Sequence, residues 1–139
     1  MAPSAAGPRG SPGARDAGSA VVDFVFVSVL VLTLFLVVAQ VGVVLHVRNV
    51  LVASAAEGAR YGANADRAGP DAEARARAAV ASALSPRTAA GLRYRSRLVT
   101  EPDGQRVLEL TISGPLPLVF LPAGPLAITV RGHALKEGR

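Results

Sequence analysis

The sequence predicts a membrane-anchored α+β protein. It has a long N-terminal transmembrane helix that continues outside the bilayer, a short second helix, and a small antiparallel sheet of about three strands. Three observations predict this. The chain runs uncharged and almost wholly apolar from Phe24 to Leu45. Helix-start chemistry opens at Pro70 and a proline at 86 closes the same stretch. From Leu92 onward apolar residues recur at every second position, with an Asp-Gly pair between the first two such runs.

Composition narrows the function classes. With 139 residues the chain fits one modest domain. It has no cysteine, which excludes a disulfide framework, a thiol nucleophile and a Cys-ligated metal site. The two histidines, His46 and His133, lie far apart and do not form a metal-ligand pair in sequence. Their surroundings offer no relay partner for a general base. Gly-rich phosphate loops, H-E-x-x-H and G-x-S-x-G are all missing, so the expectation is a non-enzymatic protein without a cofactor.

Each element follows in order. Met1 to Ala17 is rich in Pro, Gly, Ala and Ser and buries too little apolar surface to offset the entropy of ordering, so it is expected to be disordered. Phe24–Leu45 is long enough to cross a hydrocarbon core of about 30 Å as a helix. Its Val, Leu and Phe residues leave no polar stripe, unlike a surface helix of a soluble domain. Two other readings are weaker. A core helix of a soluble protein is seldom apolar over this length, and a cleaved secretory signal has a shorter apolar region with its cleavage site close behind. Charge does not orient the span, because Arg9 and Arg15 precede it and Arg48 and Arg60 follow it.

The helix is expected to continue through His46–Ala63, where Ala53, Ala55, Ala56 and Ala59 are good helix formers. Glu57 shares a face with Arg60 and with Tyr61. Gly58 and Gly62 leave a flat strip where another helix can approach. A break is expected over Asn64–Gly69. Pro70 then suits the first turn of a second helix, with Asp71 and Glu73 at its positive end and a Glu73–Arg77 pair along it. Ala72, Ala76, Ala79, Val80 and Ala83 form its thin apolar face. Pro86 restricts Ser85 and ends it near Leu84.

Leu92–Thr100 and Arg106–Ser113 form the predicted hairpin around Asp103-Gly104, and Leu126, Ile128 and Val130 mark a third strand. Prolines 115, 117, 122 and 125 exclude a regular central strand between the second and third runs. The apolar residues there fill the core, or dock a partner or the membrane surface. Arg93, Arg95 and Arg97 share one side of a strand. They form either a solvated edge face that guards against aggregation or a site for an acidic polymer. With no aromatic residue interleaved, base stacking is unsupported and no nucleic acid is expected.

Two runs carry a resemblance. Gly18-Ser19-Ala20-Val21-Val22-Asp23-Phe24, a Gly followed five residues later by an acidic residue and a long apolar run, resembles the processing site of type IV-like prepilins. Val47-Arg48-Asn49-Val50-Leu51 and Ala55-Ala56-Glu57-Gly58-Ala59-Arg60-Tyr61-Gly62-Ala63 resemble the TadE-like family of pilus assembly proteins. The resemblance covers about Gly18–Ala63 and is weaker beyond.

It implies a minor pilin or pseudopilin-like component of a tight-adherence (Tad/Flp) pilus or related export system. Gly18 would be the last leader residue and Ser19 the first mature one. Asp23 stands where the family usually has Glu, and Phe24 follows as the aromatic sixth mature position. The implied partners are the lipid bilayer, a prepilin peptidase, other pilin or pseudopilin subunits and the Tad secretion machinery. The implied location is the cell membrane, single-pass, with the N-terminus cytoplasmic and the C-terminal domain outside or extracted into a pilus.

The expected organisation is therefore a leader at 1–18, a transmembrane helix at 19–46, an extracytoplasmic helical region at 47–84 and a β region at 85–139. Candidate helix–partner contacts are Gln40, Gly42, Asn49, Glu57, Arg60 and Tyr61. The alternative is an uncleaved signal-anchored envelope protein whose outer domain binds a cell-surface polymer or a partner protein.

Overall fold

The computed structural model describes residues 13–116 and 126–136. Three helices precede three strands: α1 (Gly13–Ala63), α2 (Gly69–Ala83), α3 (Pro86–Gly91), β1 (Arg93–Thr100), β2 (Arg106–Leu116) and β3 (Leu126–Leu135). The strands form one antiparallel sheet in the order β1-β2-β3. This is the α+β plan expected from the sequence. Backbone contacts divide the chain into two units, Met1–Val38 and Ala39–Arg139.

The described part of the first unit is helix. Val21 to Val38 leaves its large apolar side chains exposed, among them Phe24, Leu30, Leu32 and Phe35. Residues 18–38 measure about 30 Å at ~1.5 Å per residue, the thickness of a hydrocarbon core. One N-terminal apolar helix thus fits a single-pass membrane anchor. Its two hydroxyl side chains fit that solvent as well. Ser28 donates to the carbonyl of Phe24 at 2.7 Å and Thr33 to that of Val29 at 2.7 Å. Both polar groups are satisfied one turn back along the same helix, so neither presents an unpaired donor to lipid.

The helix begins at Gly13, inside the segment expected to be a disordered leader. Propagating an established helix costs far less than nucleating one, so the apolar span carries its preceding residues with it. Residues 1–12 lie outside the described residues.

In the second unit, the sheet lays one face on the helices. Register puts Tyr94 beside Ile112 and Ile112 beside Val130, then Ser96 beside Leu110 and Leu110 beside Gly132. Tyr94, Leu110, Ile112, Val130 and Gly132 are all buried. Period two keeps these residues on one side. They meet Leu51, Ala55, Ala59 and Ala63 of α1 and Ala72, Ala76 and Val80 of α2 in a single core. Leu51, Val80, Leu110 and Ile112 are the largest fully buried side chains. Each is worth about 1.5–3 kcal/mol of burial. The thin apolar face of α2 covers part of the sheet. The structure adds the last turns of α1, whose small side chains let the sheet come close. This unit begins at Ala39.

Local chemistry sets the remaining joints. Asp71 accepts from the Ala68 N–H at 2.9 Å and caps α2. Ser85 caps α3 by accepting from the Thr88 N–H at 3.1 Å, with Pro86 in the first turn. Pro86 therefore starts a helix as well as ending one. Gly104 turns the hairpin with φ 83° and donates to Glu101 at 2.9 Å.

Strand β2 runs on to Leu116, past the expected end at Ser113, and includes Pro115 paired with Ala127. Strand β1 ends opposite Ser113, so beyond that point β2 has a neighbour on one side only. A residue lacking an N–H is tolerated at such an edge. The rest of the proline-rich run, including Pro117, Pro122 and Pro125, lies outside the described residues.

Candidate functional site

Helix α1 carries every candidate residue. Gly18, Ser19, Asp23 and Phe24 lie within its regular part and are exposed. The peptide bond after Gly18 is therefore helical. A Cβ on Gly18 would meet nothing within 4 Å, so no packing fixes a glycine there. Ser19 and Asp23 are four apart and share a face. Asp23 makes no ion pair among the described residues.

The run from Ala55 to Ala63 forms a packing seam. Ala55, Ala59 and Ala63 are buried in the core. A Cβ on Gly58 would come within 2.6 Å of the Ala72 carbonyl and 2.7 Å of Leu110. One on Gly62 would run into Ala72 and Leu108. The flat strip read from these glycines receives α2 and β2 of the same chain.

Glu57 and Tyr61 of the run face α2. Glu57 pairs with Arg75 at 2.6 Å rather than with Arg60. Arg67 and Arg75 sit over the Tyr61 ring, 4.7 and 5.8 Å from its centre. The structure thus joins Glu57 and Tyr61 through Arg75 and leaves Arg60 exposed. Gln40 is buried in the second unit, while Gly42 and Asn49 are exposed.

Two further anchors escaped the sequence reading. Glu73 accepts from the Ser96 N–H at 2.8 Å and from its hydroxyl at 2.7 Å, in place of the expected pair with Arg77. Arg77 instead lies over the Tyr94 ring at 4.5 Å. Lys136 donates to the carbonyls of Gly62, Asn64 and Arg67 at 3.1, 2.5 and 2.7 Å. A cation there satisfies carbonyls that the end of α1 leaves without helical partners. Only the basic character of residue 136 signals this in the sequence.

The sheet's other face is polar. Register sets Arg95, Thr111 and Arg131 in one row and Arg97, Glu109 and His133 in the next. Arg97 donates to Glu109 at 2.8 Å. That bond holds the Glu109 carboxyl below its ordinary range, against the upward push of burial, with Arg97, Arg131 and His133 adding favourable charge. A carboxyl with a lowered folded-state pKa stabilises the fold above its unfolded value of about 4.5. That contribution is lost as pH falls through the folded value. Arg97 is largely exposed, so the pair is worth about 0–1 kcal/mol. Urea titrations between about pH 6 and 3 should show Glu109→Gln with a shallower acid loss than wild type. Parallel curves would remove Glu109 as a source of that loss.

Among the described residues, no group of three or more His, Cys, Asp or Glu is placed to hold a metal ion. Residues 18–60 match the family model described as TadE-like protein. The match takes in Gly18–Phe24, the exposed apolar helix and the packing seam up to Arg60. No curated protein and no solved structure matches the chain.

Proposed function

We propose that this chain, a TadE-like protein across residues 18–60, is a non-enzymatic, pseudopilin-like component in the assembly of a Tad/Flp-type pilus or a related export system. The observation that carries the reading is the span of that match. One segment unites a prepilin-type Gly18–Phe24 pattern, an exposed helix of membrane length and the joint to a folded unit. In this reading a prepilin peptidase cuts after Gly18 on the cytoplasmic side and the sheet lies outside the cell. Other pilin-like subunits then pack against the apolar helix.

The cut requires a local change of shape, because the Gly18–Ser19 bond lies within α1. Glycine costs a helix about 1 kcal/mol relative to alanine, which eases that opening. After cleavage, the Asp23 carboxylate meets the Ser19 amine of a neighbouring subunit. A charge at the edge of an apolar span is costly enough to ask for such a partner.

Intact mass of the membrane-extracted chain tests this, with and without a matching prepilin peptidase. The expected result is loss of residues 1–18 only when the peptidase is present, and no loss from Gly18→Ala. An uncut wild-type chain, beside a control substrate that is cut, would favour the uncleaved signal-anchored alternative. Asp23→Ala is expected to insert in the membrane and to be missing from assembled material recovered by crosslinking. Normal incorporation would remove the assigned role of Asp23.

A further inference from the structure

The polar face of the sheet carries more cation than the fold uses. An open depression of about 890 Å³ is lined by four arginines of this face (93, 95, 97 and 131), by Glu109, and by Glu73 and Arg77 of α2. Both glutamates are already engaged, Glu73 by Ser96 and Glu109 by Arg97. Arg93, Arg95 and Arg131 have no ion-pair partner among the described residues. Arg93 and Arg95 are about 7 Å apart along β1, and Arg95 and Arg131 about 10 Å apart across the sheet. Those spacings hold separate anionic groups on an extended molecule rather than one small anion.

The hydroxyls decide which polyanion fits. Thr111 lies between Arg95 and Arg131, and Ser113 and Thr129 continue from Arg93 in the adjoining row. Guanidinium groups only donate hydrogen bonds, whereas hydroxyls both donate and accept. A phosphate chain offers acceptors alone and leaves the accepting side of this row to water. A ligand bearing both carboxylates and hydroxyls uses all of it. Tyr94, the aromatic side chain among the described lining of the depression, is buried and lies under Arg77, so it offers no free platform for stacked bases.

We infer that this face of the sheet binds an acidic polysaccharide, with Arg93, Arg95 and Arg131 pairing its carboxylates and Thr111, Ser113 and Thr129 bonding its hydroxyls. Encounter with such a polymer at the cell surface rests on the outward orientation proposed above. Binding by the purified chain does not, so the two readings fail separately.

The test uses the full chain in detergent micelles, with polygalacturonate as the probe and inorganic polyphosphate as the comparison, at about 0.15 M salt. Wild type is expected to bind polygalacturonate with an affinity that falls as salt rises. Arg95→Gln with Arg131→Gln is expected to weaken it about tenfold or more. Arg48→Gln with Arg87→Gln removes the same charge from exposed positions elsewhere and is expected to leave it within about twofold. Thr111→Val is expected to weaken polygalacturonate about threefold and to leave polyphosphate unchanged. Thermal unfolding of each variant checks that the fold is kept. Absent binding by wild type, or equal losses in the two arginine pairs, would overturn the site. Tighter binding of polyphosphate with Thr111→Val silent would overturn the polysaccharide.

Discussion

Gly132→Val is expected to unfold the sheet-bearing unit at temperatures the wild-type chain survives. Gly132 sits on the buried face of β3, paired with Leu110. A Cβ there would run into the backbone of Ala55 and Ala56 in α1. Backbone cannot swing aside as a side chain can, and the helix is held on its other contacts by Leu51 and Ala59. Overpacking of a dense core costs typically 1–3 kcal/mol and more where nothing yields. A loss of about 3 kcal/mol or more removes a large part of the roughly 5–15 kcal/mol that holds a domain folded. Gly91→Ala serves as the comparison, since a Cβ there meets nothing within 4 Å. Thermal or urea unfolding of the detergent-extracted chain reads the difference. Equal stability of the two variants would mean that the sheet is not seated on α1.

Leu32→Arg is expected to abolish stable membrane insertion and to spare the sheet. Leu32 lies midway along the exposed apolar helix. An arginine near the centre of a spanning helix costs about 2.5–3.5 kcal/mol, and the favourable contribution of leucine is lost with it. Val52→Arg places the same charge at an exposed position in the second unit, seven residues past the uncharged run. Resistance of each variant to alkaline carbonate extraction separates them. Full retention of Leu32→Arg in the membrane would remove residues 18–38 from the role of span.

Features with strong periodicity or strong local chemistry were legible in the sequence. The uncharged run announced the apolar helix. The Asp103-Gly104 pair and the alternation on each side of it announced the hairpin. Features that depend on which elements meet were not legible. Leu51, Ala55, Ala59 and Ala63 repeat every four residues, yet three of the four are alanine and read as ordinary helix formers. Only the presence of Gly132 across the core shows why they must be small. Glu57 has two plausible partners on its own helix, and the structure gives it Arg75 from the next. Ser85-Pro86 reads equally as the end of one helix and the cap of another, and both are true. Pro115 breaks a central strand in principle and survives because β1 stops short of it. At the candidate processing site the residues were legible, but their helical state was not, because a glycine six positions before an apolar run permits either conformation.

The hold of Lys136 on the end of α1 also fixes when this chain can finish folding. Lys136 and Gly62 are 74 positions apart, and α1's buried stripe faces a strand that is synthesised about as much later. At about 5–20 residues per second of synthesis, the latter half of α1 waits several seconds for its partners. During that wait a bare stripe of leucine and alanine must be kept from neighbours of the same kind. Early capture of the apolar segment by the membrane would tether each newborn chain apart from the cytosolic pool. Maturation would then run in sequence, with the anchor settled first and the sheet closing over the helix last.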